Sequence, residues 1–221
     1  MTSTQTRVAA LSLALVAGLS ASAQAAMVNA TITADNHYAL YSSTGAVFSY
    51  HGGNELGASG NPGQYNWSLP ETYSFEAGDF IYIAAWSDDA VAQGVLANIM
   101  ADNVNLSSGS PLWQVTSVGV NLGTGSPHPT ALDIAARVAN ADANNLWETP
   151  YVGGANGITP WGSVPGIGQN ARWMWRANGQ SNTLIGGANH GEYLIFRTVV
   201  PAPGALALAG MGGLLVARRR R

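Results

Sequence analysis

The sequence predicts an all-β protein, an antiparallel β-sandwich with one short helix, flanked by an apolar helix at each end. Three observations support this prediction. Short runs of apolar residues have strand patterns, turn-forming residues separate these runs, and only one segment between the two ends carries a helix start signal. With 221 residues, of which 47% are hydrophobic and 10% charged, the chain is long enough to bury one sizeable core.

The first 25 residues have the order of a secretory signal peptide. Arg7 supplies the positive start, residues 8–20 form an apolar run, and A-x-A cleavage sites end at Ala23 and Ala25. We expect the export machinery to bind this segment and cleavage to follow Ala25; a buried helix is the alternative. The chain has no cysteine, so an exported domain would rest on its core without disulfides.

Residues 26–198 carry the strand pattern of a single sandwich domain. Residues 28–33 alternate apolar and polar side chains, and residues 80–86 are rich in aromatic and β-branched types. Further predicted strands cover residues 38–41, 46–50, 72–75, 94–100, 113–120, 171–177 and 193–199. Turn residues at 42–45 and at 76–79 predict two hairpin loops.

Two segments interrupt the strands. Thr130 can cap a helix and Asp133 favours the positive helix start, which predicts a short helix near residues 130–139. Residues 144–170 are rich in glycine and proline and predict a long insertion loop. The glycines at 153–157 are interpreted as part of a turn within that loop.

The charge distribution argues against nucleic acid as a partner. All nine basic residues are arginines, and five of them lie near the two ends of the chain. The twelve acidic residues all fall between Asp35 and Glu192, so residues 26–203 carry four arginines against twelve carboxylates, a net charge of −8. A surface this acidic would repel a phosphate backbone.

Tryptophans in loops are the best candidates for a ligand site. Trp67, Trp147 and Trp161 lie in polar segments rich in glycine and proline. An exposed indole ring can stack on the apolar face of a sugar, so these residues predict polysaccharide binding. The alternative is an apolar cluster packed beneath a long loop. Trp173 and Trp175 share one face of a predicted strand and are expected in the core.

Asp35 and Asn36 directly follow the first predicted strand and offer the oxygen ligands that calcium prefers. A turn that closes the strand end uses the same residue types, so calcium is possible and no other cofactor is predicted. Asp88 and Asp89 end another strand, where a solvated loop is favoured over a catalytic pair. The sequence has no zinc motif and no serine nucleophile motif.

Residues 199–221 form a distinct C-terminal segment. Its parts are, in order, a motif of Pro201, Ala202 and Pro203, an apolar run at 204–217, and a cluster of Arg218, Arg219, Arg220 and Arg221. The apolar run predicts a transmembrane helix. It would be a short one, because 14 residues span about 21 Å as a helix and the hydrocarbon core is ~30 Å thick. The arginines would hold the end of this helix on the cytoplasmic side.

This order of parts resembles the bacterial PEP-CTERM sorting signal. In that family an integral-membrane, transpeptidase-like enzyme, exosortase, is thought to cleave at the proline motif. The resemblance implies an exosortase-type sorting enzyme as partner, a transient membrane stage, and a final location at the cell surface or in the extracellular matrix. Ala202 stands where the family usually has glutamate. A plain membrane anchor is the alternative.

The middle of the chain has a second resemblance. Residues 32–41, 73–86, 94–97 and 173–175 resemble the galactose-binding-like jelly-roll modules of bacterial extracellular proteins, in which an Asp-Asn pair follows the first strand. This resemblance implies a jelly-roll-like sandwich and says less about function.

Two functions fit the sequence. The first is a non-catalytic protein of the cell surface or matrix whose sandwich binds polysaccharide, and the second is a secreted carbohydrate-active enzyme. The non-catalytic surface protein is preferred, because it requires only features that the sequence shows. The second would gain support if Asp35, Asp88, Asp89 or Glu192 met in one partly buried pocket with a raised pKa.

Overall fold

The structure is a computed structural model that describes residues 25–54, 67–88, 91–123, 126–177, 179, 181–185 and 192–201. The predicted signal peptide, apart from Ala25, lies outside the described residues. So do Ala202, Pro203, the apolar run and the four terminal arginines. Within the described ranges, no helix is both long and apolar enough to cross a membrane.

The described residues form eleven strands and one helix. In chain order these are β1 (Ala26–Asp35), β2 (His37–Thr44), β3 (Val47–Gly53), β4 (Glu71–Ala77), β5 (Phe80–Trp86), β6 (Gly94–Ala101), β7 (Val104–Asn105), β8 (Gln114–Ser117), α1 (Ala131–Ala143), β9 (Tyr151–Ala155), β10 (Arg172–Trp175) and β11 (Leu194–Val199). The prediction of a mostly β chain with one short helix is confirmed.

The strands pair into two antiparallel sheets. The outer sheet has the order β4-β1-β6-β10-β9, with β7 paired to β6, and the middle sheet has the order β3-β2-β5-β11-β8. Alternation within β1 explains how the sheets pack, because Val28, Ala30 and Ile32 are buried in the core while Met27 and Asn29 are exposed. The predicted β-sandwich is therefore confirmed.

The middle sheet is covered on both faces. Along β5, Ile81 and Ile83 belong to the core that includes both sheets, whereas Tyr82 belongs to a second cluster with Ile134 and Val138 of α1. Burial of both faces explains why β5 is almost continuously apolar instead of alternating. The molecule thus has three layers, the outer sheet, the middle sheet and the helix.

Helix α1 begins where the sequence predicts and ends later. The Thr130 hydroxyl oxygen accepts a hydrogen bond from the Asp133 backbone N–H at 3.1 Å, and the Asp133 carboxylate accepts one from the Thr130 N–H at 3.0 Å. This reciprocal capping box fixes the start. The helix continues to Ala143, beyond the predicted residue 139, because Ala141 is still buried on the face that carries Val138.

Two local predictions are wrong. The turn at 76–79 is not a hairpin, because it joins β4 of the outer sheet to β5 of the middle sheet. The glycines at 153 and 154 lie within β9 and not in a turn. A Cβ atom at Gly153 would overlap the Leu184 side chain, so glycine serves close packing there. Residues typical of turns occur in both segments, but they do not distinguish a hairpin from a connection between sheets, or a turn from a glycine-rich strand.

The chain passes from the outer to the middle sheet between β1 and β2. Asp35 ends β1, Asn36 lies between the strands, and His37 begins β2; the Asp35–Asn36 peptide bond is cis. Asp35 pairs with Gly94 of β6, while His37 pairs with Trp86 at the end of β5. We call these three residues the sheet crossing.

Candidate functional site

A cavity of about 240 Å³ lies at the sheet crossing. Its lining residues are Asp35, Asn36, Trp67, Asp88, Val91, Ala92, Pro160 and Trp161. Four of these residues, two tryptophans and the Asp-Asn pair, are candidates that the sequence suggested in three separate segments. The fold brings them together, and we call this the crossing cavity.

Asp35 is the most deeply placed acid of the crossing cavity. Its side chain is 9% exposed, and its Oδ2 accepts a hydrogen bond from Trp161 Nε1 at 2.7 Å. Burial raises the pKa of Asp35 to about 6, with the negative charge of Asp88 raising it further and the Trp161 hydrogen bond opposing the change. A carboxyl group with this pKa can exchange a proton near neutral pH.

Asn36 holds the sheet crossing to the end of β5. Its Oδ1 accepts hydrogen bonds from the Asp88 backbone N–H at 2.7 Å and from the Ser87 hydroxyl at 3.1 Å. Its backbone oxygen accepts another from Asn54 Nδ2 at 2.9 Å. Both lone pairs of the side-chain oxygen are therefore used inside the protein.

This geometry bears on the predicted calcium site. Because Asn36 Oδ1 already accepts two hydrogen bonds, it would have to lose one before it could bind an ion. No group of three or more acidic, histidine or cysteine side chains suited to a metal occurs among the residues that the structure describes. A structural role for Asn36 is favoured, and calcium binding at Asp35 stays a prediction.

Trp161 lines the crossing cavity but is not an exposed loop residue. Its side chain is 3% exposed and its ring stacks on Trp173, with centroids 4.0 Å apart and planes 19° apart. The loop that carries it is held by Asn156, whose side chain bonds to the backbone of Val164 and Ile167. The sequence predicts the loop that carries Trp161, but it does not predict that the Trp173 ring covers the Trp161 side chain.

Trp67 is the more accessible tryptophan of the crossing cavity. It is half-buried, and its backbone oxygen accepts a hydrogen bond from the Thr33 hydroxyl at 2.7 Å. That bond ties the Trp67 segment to β1 beside the crossing. Trp67 is therefore the ring best placed to contact a ligand.

Trp147 lies away from the crossing cavity, near the end of α1. Its Nε1 donates to Asp142 Oδ1 at 2.7 Å, and the Arg197 guanidinium lies 3.7 Å from its ring centroid. Arg197 also pairs with the same Asp142 oxygen at 2.6 Å. One ring face is thus covered by a cation, and the cluster fastens α1 to β11.

The sequence pattern did not single out His37, and it did not place Asp88 in a cavity. Asp88 is exposed, as expected for a solvated loop, and it also lines the crossing cavity. His37 is fully buried and stacks on Trp86 at 5.3 Å, and burial lowers its pKa to about 4 while the charge of Asp88 opposes this. In the sequence, only their positions at the ends of predicted strands could have indicated that these two residues lie near the site.

Pro201, the first residue of the proposed sorting motif, lines a different cavity. This groove of about 740 Å³ lies between α1 and the edge of the middle sheet, and Phe48, Tyr82 and Val138 contribute to its apolar wall. Just before it, the Val200 backbone N–H donates to the Asp79 backbone oxygen at 2.8 Å. The folded domain therefore extends to Pro201, the first residue of that motif.

Comparisons of this chain with protein-family models, curated proteins and solved structures give no match. The resemblances to the PEP-CTERM sorting signal and to the galactose-binding-like modules stay predictions.

Proposed function

We propose that the protein is an exported protein of the cell surface or extracellular matrix that binds polysaccharide in the crossing cavity. The observation that carries the proposal is the meeting of Trp67 and Trp161 with Asp35 in one cavity. The half-buried Trp67 ring offers flat apolar surface to a sugar ring, and a carboxylate accepts hydrogen bonds from its hydroxyl groups. These are the complementary contacts that a sugar requires.

The size of the cavity limits the ligand. Its volume of about 240 Å³ lies just below the ~300–1,000 Å³ typical of sites for drug-sized molecules. A single sugar unit matches this space better than a longer segment does. We therefore propose that one unit of a polymer enters the cavity while neighbouring units remain outside.

We also propose that the sandwich is jelly-roll-like and that the protein follows the predicted sorting pathway. Successive strands change sheets after β1, β3, β4, β5, β7, β8 and β10, and this frequent crossing between two antiparallel sheets supports a jelly-roll-like path. Pro201 follows the end of β11 by two residues, and this short distance supports a proline motif at the end of the folded domain. An exosortase-type enzyme would meet the motif at that boundary.

Binding should depend on Trp67. We expect the mature protein to be retained on at least one extracellular polysaccharide, and Trp67→Ala to bind about tenfold more weakly, a loss of ~1.4 kcal/mol. Affinity electrophoresis in gels containing individual polymers measures this. Trp147→Ala is the matched control, because Trp147 lies outside the cavity, and should bind like the wild type. Retention of the wild type on no polymer would contradict the proposal.

Sorting should depend on the terminal arginines. Replacing Arg218, Arg219, Arg220 and Arg221 with serine removes the charge that would keep the end of the chain cytoplasmic, so we expect release or misdirection of the protein. Fractionation of the producing cells, with mass spectrometry of both mature termini, measures this outcome. Unchanged surface display, or a mature chain that still begins at Met1, would count against the pathway.

A specific observation supports the enzyme as a second candidate. Asp35 and Asp88 line the same cavity, and the pKa of Asp35 is raised to about 6, as a general acid in glycoside hydrolysis requires. Assay of reducing ends released from any retained polymer distinguishes the candidates. Cleavage by the wild type but not by Asp35→Asn would favour the enzyme over the binding protein.

A further inference from the structure

The groove that Pro201 lines has aromatic and apolar walls. On its sheet side, the Phe48 and Phe80 rings lie 5.2 Å and 5.8 Å from the Tyr82 ring, measured between centroids. Tyr82 is buried, whereas Phe48 and Phe80 are half-buried although they pack against the apolar cluster beneath α1. We call this cavity of about 740 Å³ the helix groove. An apolar group that covered these rings would bind favourably, because apolar surface would leave water.

Helix α1 supplies another wall of the helix groove. Ala135, Val138, Ala139 and Asp142 line it, at spacings of three and four residues that place them on one face of the helix. Ala136 is exposed on the same helix but is not among the residues that line the groove. The helix face that carries Ala139 is therefore distinct from the face that carries Ala136.

The chain reaches its C-terminal segment at the helix groove. Val199, Val200 and Pro201 all line it, and the Asp79 backbone oxygen holds the Val200 backbone N–H at 2.8 Å. Leu206 follows Pro201 by five residues. An extended chain spans at most ~3.6 Å per residue, so Leu206 can lie no further than about 18 Å from Pro201. The first leucine of the apolar run is thus within reach of the groove without a long loop.

The composition of the segment suits the helix groove. Residues 204–217 are glycine, alanine, leucine, methionine and valine, and the first two leucines are Leu206 and Leu208. The arginines at 218–221 add four positive charges, whereas residues 26–203 carry a net charge of −8. These opposite net charges favour contact between the segment and the domain. Because the leucines are tethered to the groove, their effective concentration there is in the millimolar range.

We infer that the C-terminal segment, until it enters a membrane or is removed, folds back on the domain and places Leu206 and Leu208 in the helix groove. The groove and the lipid bilayer then compete for the same leucines, and the domain shields part of the apolar run from water. The volume of the groove lies within the ~300–1,000 Å³ of small-molecule sites, so it holds a few side chains and leaves the rest of the run outside. The inference rests on neither polysaccharide binding nor cleavage by exosortase.

Crosslinking tests this contact directly, because the chain has no cysteine of its own. Ala207→Cys, between the two leucines, is combined with Ala139→Cys on the groove face of α1 in the chain from Ala26 to Arg221. A short bismaleimide in detergent-free buffer should link the two thiols within one molecule. The matched control combines Ala207→Cys with Ala136→Cys, which is exposed on the same helix outside the groove, and should give at least fivefold less crosslinked monomer.

Thiol protection tests the same contact without a crosslink. As the single cysteine of the chain, Ala139→Cys should react with iodoacetamide at least fivefold more slowly than Ala136→Cys, although both positions are exposed in the described part of the chain. Replacing Leu206 and Leu208 with serine should remove this protection and leave the rate at Ala136→Cys unchanged. If circular dichroism showed that Ala139→Cys does not fold, Ala46→Cys beside β3 in the groove wall would replace it.

The outcomes separate this contact from other occupants of the helix groove. Equal crosslinking at the two helix positions, or equal reaction rates, would overturn the inference. Crosslinks that form only between separate molecules would show that a second copy supplies the segment, which overturns folding back within one chain. Protection that survives both serine replacements would show a different occupant and overturn it as well. Polysaccharide binding and surface sorting are measured separately, and neither result depends on what the groove binds.

Discussion

Replacing Trp175 with alanine should lower the free energy of unfolding by ~3–5 kcal/mol. Trp175 lies in β10 of the outer sheet, is fully buried, and contacts Phe196 of β11 in the middle sheet with ring centroids 6.0 Å apart. Its Nε1 has no hydrogen-bond partner within the described ranges, so the expected loss is one of packing. The space left between two sheets cannot be filled by small movements.

Urea denaturation followed by far-ultraviolet circular dichroism measures this loss without relying on tryptophan fluorescence. Leu132→Ala is a suitable control, because Leu132 lies in α1 with 82% of its surface exposed and should change stability by less than ~0.5 kcal/mol. Equal stability of the two variants would show that the packing of Trp175 contributes little.

Asp35→Asn should raise stability at pH 7 by up to about 3 kcal/mol and make it depend strongly on pH. In the folded protein the pKa of Asp35 is about 6, above its ordinary value of 3.8, so the folded state binds this proton more tightly than the unfolded state does. The ionised form is the less favourable one in the fold. Asp35 therefore favours folding increasingly as the pH falls from about 6 to about 4.

His37 acts in the opposite direction. Its pKa is about 4 in the fold, below the ordinary 6.5, so the unfolded state binds this proton more tightly. Stability is consequently lost as the pH falls from about 6.5 to about 4. Each difference corresponds to about 3 kcal/mol, and the two nearly cancel in the wild type. We expect these two contributions largely to offset each other between pH 7 and pH 4, while burial also lowers the pKa of His51 and leaves a smaller loss of stability as the pH falls.

The Asp35→Asn variant removes one of these two opposing effects. The asparagine oxygen can still accept the hydrogen bond from Trp161, while the buried negative charge is gone. Urea midpoints at intervals from pH 7 to pH 4 should then fall much more steeply in the variant than in the wild type. Asp102→Asn, which changes an exposed acid, should behave like the wild type. A level profile for Asp35→Asn would refute the assigned burial effects.

The elements that local signals specify could be predicted from the sequence. Strand β5 was recognised from its aromatic and β-branched residues, and the start of α1 from Thr130 and Asp133. Strand β9 could not, because Gly153 and Gly154 suit a turn as well as a strand packed against Leu184. Local patterns identify an element only where its residues favour one conformation by themselves.

The candidate site depends on contacts between distant segments. Asp35 and Trp161 were both suggested from the sequence, but their hydrogen bond joins residues 126 positions apart. The stacking of Trp161 on Trp173, which buries a ring expected in solvent, is a contact of the same kind. Asp88 is exposed, as predicted for a solvated loop, but its place in the cavity wall and its backbone hydrogen bond to Asn36 depend on contacts that its sequence neighbours do not show.

Strand β11 sets the order in which the protein can be assembled. It is the last strand in the chain, yet it lies inside the middle sheet between β5 and β8. Leu194 pairs with Ala85 across more than one hundred residues, a long-range contact of the kind that slows folding. A chain emerging from a translocation pore with its amino end first would therefore leave β5 and β8 apart until Val199 had passed. If the protein is exported in this way, closure of the sheet between β5 and β8 would wait for its final strand, and Pro201 would leave the pore almost as the sheet closes.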